Sequence, residues 1–456
     1  MTQRKRKRSG LKRLRRQAVE SDFDGGTIAS DGGLVLLREV DRKLDLMRRI
    51  DEAMTDPRDQ RYVQHSQRQM ITSRIFGIAA GYEDANDHQH LRNDPAFQVA
   101  AEQSPSDQQP QLASPATLSR LENRASSRDN FLLHEILVDT FLDSFDQPPA
   151  EIILDMDATN DPTHGDQENK FFNGFYDGYC FLPLYVFCGD QLLVSYLRPS
   201  SVGCAKHARP ICKLLVNKIR SRWPVTRIIL RGDSGFCNHK LLRWCDKNDV
   251  GYVIGLQKNP VLLRRLQPDI DQAEADFETS GIKQRRFTWF PYKARRWDGY
   301  GWVIGKAEHT DKGSNTRFVI TNLPESTANE TSDWSPAINP GDFYDGRYCP
   351  RGEMENRIKE QQLYLFADRT SCTDFMANQL RLMFSSFAYV LLDGIRRLAL
   401  HGTKAARWRV DTIRLRLIKI AARVKLSVRR VVFHLCSNCP NQEEFKFVLK
   451  KLCDSS

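Results

Sequence analysis

Three acidic residues, widely separated in the chain, each close a local pattern that suits a metal-bound carboxylate. Asp157 ends an apolar run that passes through Ile152, Ile153 and Leu154. Asp233 ends a second such run through Ile228, Ile229 and Leu230. Glu355 lies in an amphipathic stretch that begins near Tyr348. Two strand ends and one helix face can converge on a point, and three carboxylates at one point call for divalent cations. Two such ions, ~3.5–4 Å apart, serve phosphoryl transfer on nucleic acid: one activates water or a 3′-hydroxyl, the other stabilises the leaving oxygen. Mg²⁺ is the expected ion, two per site, with Mn²⁺ as substitute, because hard cations take oxygen ligands.

Each acid also has a plainer reading. An Asp at a strand end commonly forms a turn or caps a helix. Asp155 shares a strand face with Asp157, and Asp161 is near. Glu355 with Lys359 is an ordinary i,i+4 helix pair, worth ~0.3–0.5 kcal/mol. Only the three contexts taken together carry the chemical reading.

The elements that must position these acids are legible from about residue 150 onward. The run ending at Asp157 reads as a buried strand. Residues 171–188 read as hairpin strands and residues 191–197 as a third strand. A helix is expected at about 206–221, a strand at 227–230, a helix at 238–248 and a strand at 252–256. A meander followed by strand–helix–strand crossovers gives a mixed sheet covered by helices. In such a sheet, functional residues gather at the carboxyl ends of parallel strands, where Asp157 and Asp233 both fall. Residues 261–345 break the rhythm and read as a β-rich insertion, between core segments 146–260 and 346–400. Residues 21–145 read as a helical N-terminal, DNA-binding domain and 1–20 as a disordered basic arm. Residues 401–456 read as a basic helical C-terminal region.

Charge agrees with a polyanion held at the periphery. The 456 residues carry a net charge of +11. Residues 1–16 hold nine Lys/Arg, Arg4, Arg6 and Arg8 among them, and no acid. Residues 396–430 hold twelve Lys/Arg against Asp411 alone, so the intervening chain is net acidic. A solvated tail and a charged helix face would be the bland account of the same pattern. No apolar run approaches the ~18 residues of a membrane span, and no apolar segment follows the basic N-terminus, so a cytoplasmic protein without a membrane partner is expected. Eleven mostly scattered cysteines suit reduced thiols. Cys436 and Cys439 form a lone CxxC without the second pair that zinc would need.

Read in order, Asp157-Ala158-Thr159, the run Gly232 to Phe236 (Gly-Asp-Ser-Gly-Phe), and Tyr348, Arg351 and Glu355 in the spacing Tyr-x₂-Arg-x₃-Glu resemble the DDE transposases of bacterial insertion sequences. The segments Gly81–Asp87 and Asp161–Gln167 are similar to the same branch, and the likeness covers roughly residues 20–430. The resemblance implies an α/β, RNase H-like catalytic core with a β-rich insertion between the second Asp and the Glu. It implies Asp157, Asp233 and Glu355 as catalytic metal ligands, and Tyr348 and Arg351 as contacts to transposon-end phosphates. Its partners would be double-stranded DNA, both element ends and target, and a homodimer or higher assembly on that DNA. The signature usually continues with a Lys seven residues after the Glu, where this chain has Gln362; Lys359, one turn after Glu355, is the substitute. Trp297, in the aromatic and basic insertion, is a candidate to stack on an unpaired base near the cleavage site. A metal-dependent nuclease on the same fold, or a DNA-binding derivative without catalysis, are the alternatives.

Overall fold

The structure is a computed structural model, and it describes residues 9–105, 111–323, 326–327, 335–336 and 338–454. Arg4, Arg6 and Arg8 of the expected basic arm lie outside the described residues. The chain divides into two compact units, one of Glu52–Thr55 and Leu121–Asp393, the other of Met1–Asp51, Asp56–Arg120 and Gly394–Ser456.

The first of these units is built on one large mixed sheet. Its main elements are β1 (Glu151–Ala158), β2 (Leu184–Cys188), β3 (Gln191–Tyr196), α1 (Ala208–Arg222), β4 (Arg227–Gly232), α2 (His239–Lys247), β5 (Gly251–Leu256), α3 (Pro260–Ser280), β6 (Gln284–Tyr292), β7 (Gly301–Thr310), β8 (Arg317–Thr321) and α4 (Gly352–Lys359). The strand order is β6-β7-β8-β5-β4-β1-β2-β3. β1, β4 and β5 run parallel, and every other pairing along this path is antiparallel. The expected meander and the two crossovers through α1 and α2 are both present.

Strand alternation divides the residues between two faces. Ile152, Leu154 and Met156 join Ile228, Leu230, Tyr252 and Ile254 in a core with Cys212, Leu215, Val216 and Ile219 of α1 and Leu241, Leu242 and Cys245 of α2. The opposite face carries Ile153, Asp155 and Asp157 on β1, and Ile229, Arg231 and then Asp233 along β4. Here Ile229, Val253, Ile304 and Val319 pack against Phe343 and Tyr344. The acids therefore lie on the face covered by the segment that leads into α4.

That segment is helical almost continuously from Pro340 to Tyr364. Asn339 caps its start by accepting from the Gly341 and Asp342 N–H groups. It widens to a π-helical turn over Tyr344–Tyr348 and tightens to a 3₁₀ turn over Cys349–Arg351 before α4 begins. Pro350 lacks an N–H, so the regular i→i−4 ladder cannot run through it. Wide turns of this kind re-aim side chains, often at functional sites.

The expected β-rich insertion is corrected in two respects. It begins with a 21-residue helix, α3, capped by Asn259 and ended at Gly281 with φ +63°. Its strands then extend the core sheet, because β8 pairs antiparallel with β5 from Leu256↔Phe318 to Val253↔Thr321.

The other unit knits chain segments from both ends. Helices Leu34–Leu44, Gln67–Ala80 and Pro95–Ala100 bury Leu36, Leu37, Val40, Ile71, Ile75, Phe76 and Phe97. A capping box of Ser66 and Gln69 starts the second helix. Gly33 is required where the C-terminal segment crosses, since a Cβ there would stand 1.8 Å from the Leu417 carbonyl oxygen. Asp31 accepts from the Tyr82 hydroxyl at 2.7 Å and pairs with Lys419 at 2.9 Å.

Two expectations fail in this unit. Residues 9–21 are not disordered: Ser9–Leu14 and Gln17–Ser21 form an antiparallel hairpin. The C-terminal region is helical at Val410–Ile418 and at Gln442–Asp454. Between them lies a second hairpin, β9 (Ala422–Ser427) with β10 (Arg430–Leu435), whose base pairs with Ile28–Ala29. Val424, Val431, Val432 and Phe433 favour a strand, and Ala422 and Val424 are buried while Arg423 and Lys425 face out. Among the described residues no helix is long and apolar enough to cross a membrane. All eleven cysteines are free.

Candidate active site

β1 and β4 are hydrogen-bonded neighbours in parallel register, with Arg231 opposite Asp155 and Gly232 opposite Met156. Asp157 and Asp233 are next along each strand, Asp157 still paired with Tyr185 of β2, and so stand side by side at the carboxyl ends of β1 and β4. Local bonds hold both carboxylates: Asp157 Oδ1 accepts from the Ala158 N–H at 2.9 Å, and Asp233 Oδ1 from the Gly235 N–H at 2.9 Å.

Arg351 joins the third acid to this pair. Its guanidinium donates to Glu355 at 2.8 Å and reaches Asp157 at 3.8 Å. Burial raises the Asp157 carboxyl to about 6; Arg351 lowers it, while Asp233 and Glu355 push it up. Among the described residues no group of three or more His, Cys, Asp or Glu side chains stands close enough to hold an ion. Arg351 occupies that space between Asp157 and Glu355.

The neighbouring Asp155 is separated from the cluster by its own partner. Arg231 forms a two-pronged ion pair with it at 2.5 and 2.7 Å, with both side chains more than nine-tenths buried. Burial raises the Asp155 carboxyl and the Arg231 hydrogen bond pulls it back. Arg231 also donates to the Arg347 carbonyl at 2.8 Å, and Arg347 in turn pairs with Glu151 at the start of β1. These contacts fasten the Pro340–Tyr364 segment to the strands that end in the acids.

Tyr348 stands over the turn after Asp233. A Cβ on Gly255 would lie 2.8 Å from its hydroxyl and 2.8 Å from the Ser234 nitrogen, so glycine alone admits this approach. Burial raises the Tyr348 hydroxyl, with Arg351 opposing and Asp233 adding. Two further residues border the acids and were missed from sequence. Tyr176 is raised to about 12 by burial, with contributions from Cys204, Asp157 and Asp233. Cys204 approaches the Asp233 turn, its Cβ 3.0 Å from where a Gly235 side chain would begin. Both come from loops, and only the aromatic, glycine-punctuated run near residues 171–178 hinted at one of them.

Gln362 has a definite task. Its amide donates to Asp161 Oδ1 at 2.8 Å and to the Asn160 carbonyl at 3.1 Å. It therefore ties the helical segment to the chain leaving Asp157. Lys359 is exposed on α4. Asp161 is fully buried, so losing its amide donor strands a buried acceptor, which costs about 1–3 kcal/mol. Gln362→Ala is expected to lose that much in urea unfolding; a change under about 0.5 kcal/mol, typical of inert surface substitutions, would make the clamp idle.

Trp297 is not brought to the acids. The turn between β6 and β7 leaves the sheet at the edge where the parallel strands begin, because Tyr292 pairs with Gly301 and Trp302 with Thr321 beside Val253. Trp297 packs there edge-on against Tyr292 at 5.5 Å. Of the insertion cations, Arg285 pairs with Asp345 and Arg286 with Asp276. A cavity of about 380 Å³ lined by Phe131, His134, Tyr196 and Leu214 includes none of the three acids.

A family model described as the transposase DDE domain, group 1, matches residues 11–456. The cryo-EM structure of a piggyBac transposase synaptic complex with hairpin DNA aligns over 90% of this chain and 81% of that chain, at 11% identity and a TM-score of 0.42. No curated protein matches the chain.

Proposed function

The chain belongs to the transposase DDE domain family, group 1, and on that premise we propose that it binds the terminal inverted repeats of its own element, cleaves the DNA there and joins the 3′ ends to target DNA. The observation that carries this reading is the placement of Asp157 and Asp233 at the carboxyl ends of adjacent parallel strands, with Glu355 tied to Asp157 through Arg351. An RNase H-like core is supported by the strand sequence β3-β2-β1-β4-β5, in which only β2 runs against its neighbours β1 and β3 and the crossovers pass through α1 and α2.

The donor set suits divalent cations by its chemistry, and closing on an ion would require Arg351 to give up its place between Asp157 and Glu355. Asp157, Asp233 and Glu355 offer hard oxygens, and one guanidinium cannot balance three carboxylates; burial raises the Asp157 carboxyl, and Asp233 and Glu355 add to that against Arg351. Bound there, Mg²⁺ would neutralise charge at the attacked phosphate and acidify the attacking water or hydroxyl. The chain's own residues do the positioning. The Asp155–Arg231 pair cancels charge one step back along the strands, which confines the surplus to the three acids. Arg351 offers a planar fork of the kind that recognises phosphate, and Tyr348 presents its hydroxyl beside the Asp233 turn. Catalysis of this type is positioning plus charge neutralisation, with no covalent protein–DNA intermediate. Cutting two ends together calls for at least a dimer on DNA.

The test is incubation of the protein with labelled element ends, plasmid and Mg²⁺, with products resolved on a denaturing gel. Cleavage at the ends followed by joining to plasmid is expected. Cleavage without joining would make the protein a nuclease, and binding without cleavage a DNA-binding derivative.

A further inference from the structure

We infer that the β9–β10 hairpin is a DNA-docking ribbon that lies along a groove of the duplex. Between Thr412 and Gln442 the chain has seven Lys/Arg and no acid. Three of them are committed to the body of their unit. Arg414 donates to the Ala79 carbonyl at 2.8 Å, Arg416 stacks over Trp408 at 4.6 Å, and Lys419 pairs with Asp31 at 2.9 Å. The other four, Arg423, Lys425, Arg429 and Arg430, all sit on the hairpin, are exposed, and form no ion pair among the described residues.

Register gathers Arg423, Lys425 and Arg430 on one face, with Arg429 in the turn at the tip. Arg423 faces His434, Lys425 faces Val432 and Ser427 faces Arg430, so these side chains share one face. The other face buries Ala422 and Val424 at its base, while Leu426 and Val431 farther out are exposed. Ile28–Ala29 pairs with Ala422 and Arg423, and the Thr27 carbonyl accepts from the Val424 N–H at 2.8 Å, so this pairing covers only the base of the ribbon. Val428, at the tip, is fully exposed.

A two-stranded ribbon is marginal on its own, and like charges along one face weaken it further. A polyanion relieves both burdens. Six paired residues span about 20 Å, and the ~12 Å major groove admits a two-stranded ribbon. The inference shares the DNA-acting premise of the proposed function but none of its chemistry.

The test uses the full chain carrying R423Q/K425Q/R429Q/R430Q, and separately R429Q/R430Q, which leaves the packed base of the ribbon untouched. Affinity for a duplex of about 30 base pairs and arbitrary sequence, ~100 Å long at ~3.4 Å per base pair, is measured against KCl concentration. Each lost phosphate contact flattens the log–log salt slope by about 0.9, so flattening by roughly 2–4 is expected for the quadruple variant and about 1–2 for the tip variant. Wild-type protein that cleaves its ends while both variants keep its salt slope would overturn the ribbon and leave the transposase reading standing. Wild-type protein without duplex affinity would overturn both. Binding to phosphatidylserine vesicles that the variants lose, with the DNA slope unchanged, would reassign the ribbon to an anionic lipid surface.

Discussion

Asp233→Asn is expected to abolish cleavage of element ends while binding to those ends persists. Asparagine keeps the size of the side chain and an oxygen that can accept from the Gly235 N–H, as the Asp233 carboxylate does at 2.9 Å. The turn and its neighbours, Tyr348 and Gly255, should therefore stay in place. What is removed is one negative charge of three at the site where a divalent ion would be held. Loss of a preorganised electrostatic contact at a reacting centre costs about 10²–10³ in rate, and a lost ligand also weakens ion occupancy, so a fall of at least about 10³-fold, roughly 4 kcal/mol, is expected. Gel-shift affinity for the ends and the urea midpoint should stay close to wild type. Divalent-dependent cleavage at wild-type rate would remove Asp233 from the chemistry, and with it the three-acid reading.

The sequence carried the ingredients of this site more clearly than their assembly. The apolar runs ending at Asp157 and Asp233 were readable because buried parallel strands need continuous hydrophobicity and then a polar exit. That the two runs are neighbours in register, Gly232 opposite Met156, depends on pairing across some 75 residues and is not written in either run. The choice between Asp155 and Asp157 likewise turns on a distant residue. Both share a face, and only Arg231, brought over by β4, shows that Asp155 is already neutralised. Gln362 could be seen as a departure from the signature, but not as a donor to Asp161. α3 was hidden by Pro268 inside it and by an exposed, polar majority around Leu262, Leu266 and Ala273. The β9–β10 hairpin was hidden by charge: its Lys and Arg matched a basic helix, although the alternation of Arg423, Val424, Lys425 and Leu426 has the period of a strand. Trp297 was drawn toward the site by residue type alone, and the antiparallel return of β7 puts it at the other edge.

Arg231→Met is expected to produce the largest loss of stability. The substitution leaves Asp155 more than nine-tenths buried without its counterion, and removes the donor to the Arg347 carbonyl. Breaking a buried pair from one side costs about 3–5 kcal/mol, because the desolvated charge remains. Protonation of Asp155 can recover part of this, since burial already raises its pKa. The urea midpoint should therefore fall sharply at neutral pH and less at mildly acidic pH, where the carboxyl is neutral before unfolding. Asp155→Leu combined with Arg231→Met removes both charges and replaces them with apolar volume, a change that is often neutral or stabilising. The double variant should regain most of the lost stability. Its cleavage should not recover to the same degree, because the Arg347 carbonyl is still unheld and the segment bearing Tyr348, Arg351 and Glu355 has lost a tie to β4. Equal recovery of stability and cleavage would show that Arg231 serves folding alone, and a single variant within about 1 kcal/mol of wild type would deny that the pair is a buried charge couple at all.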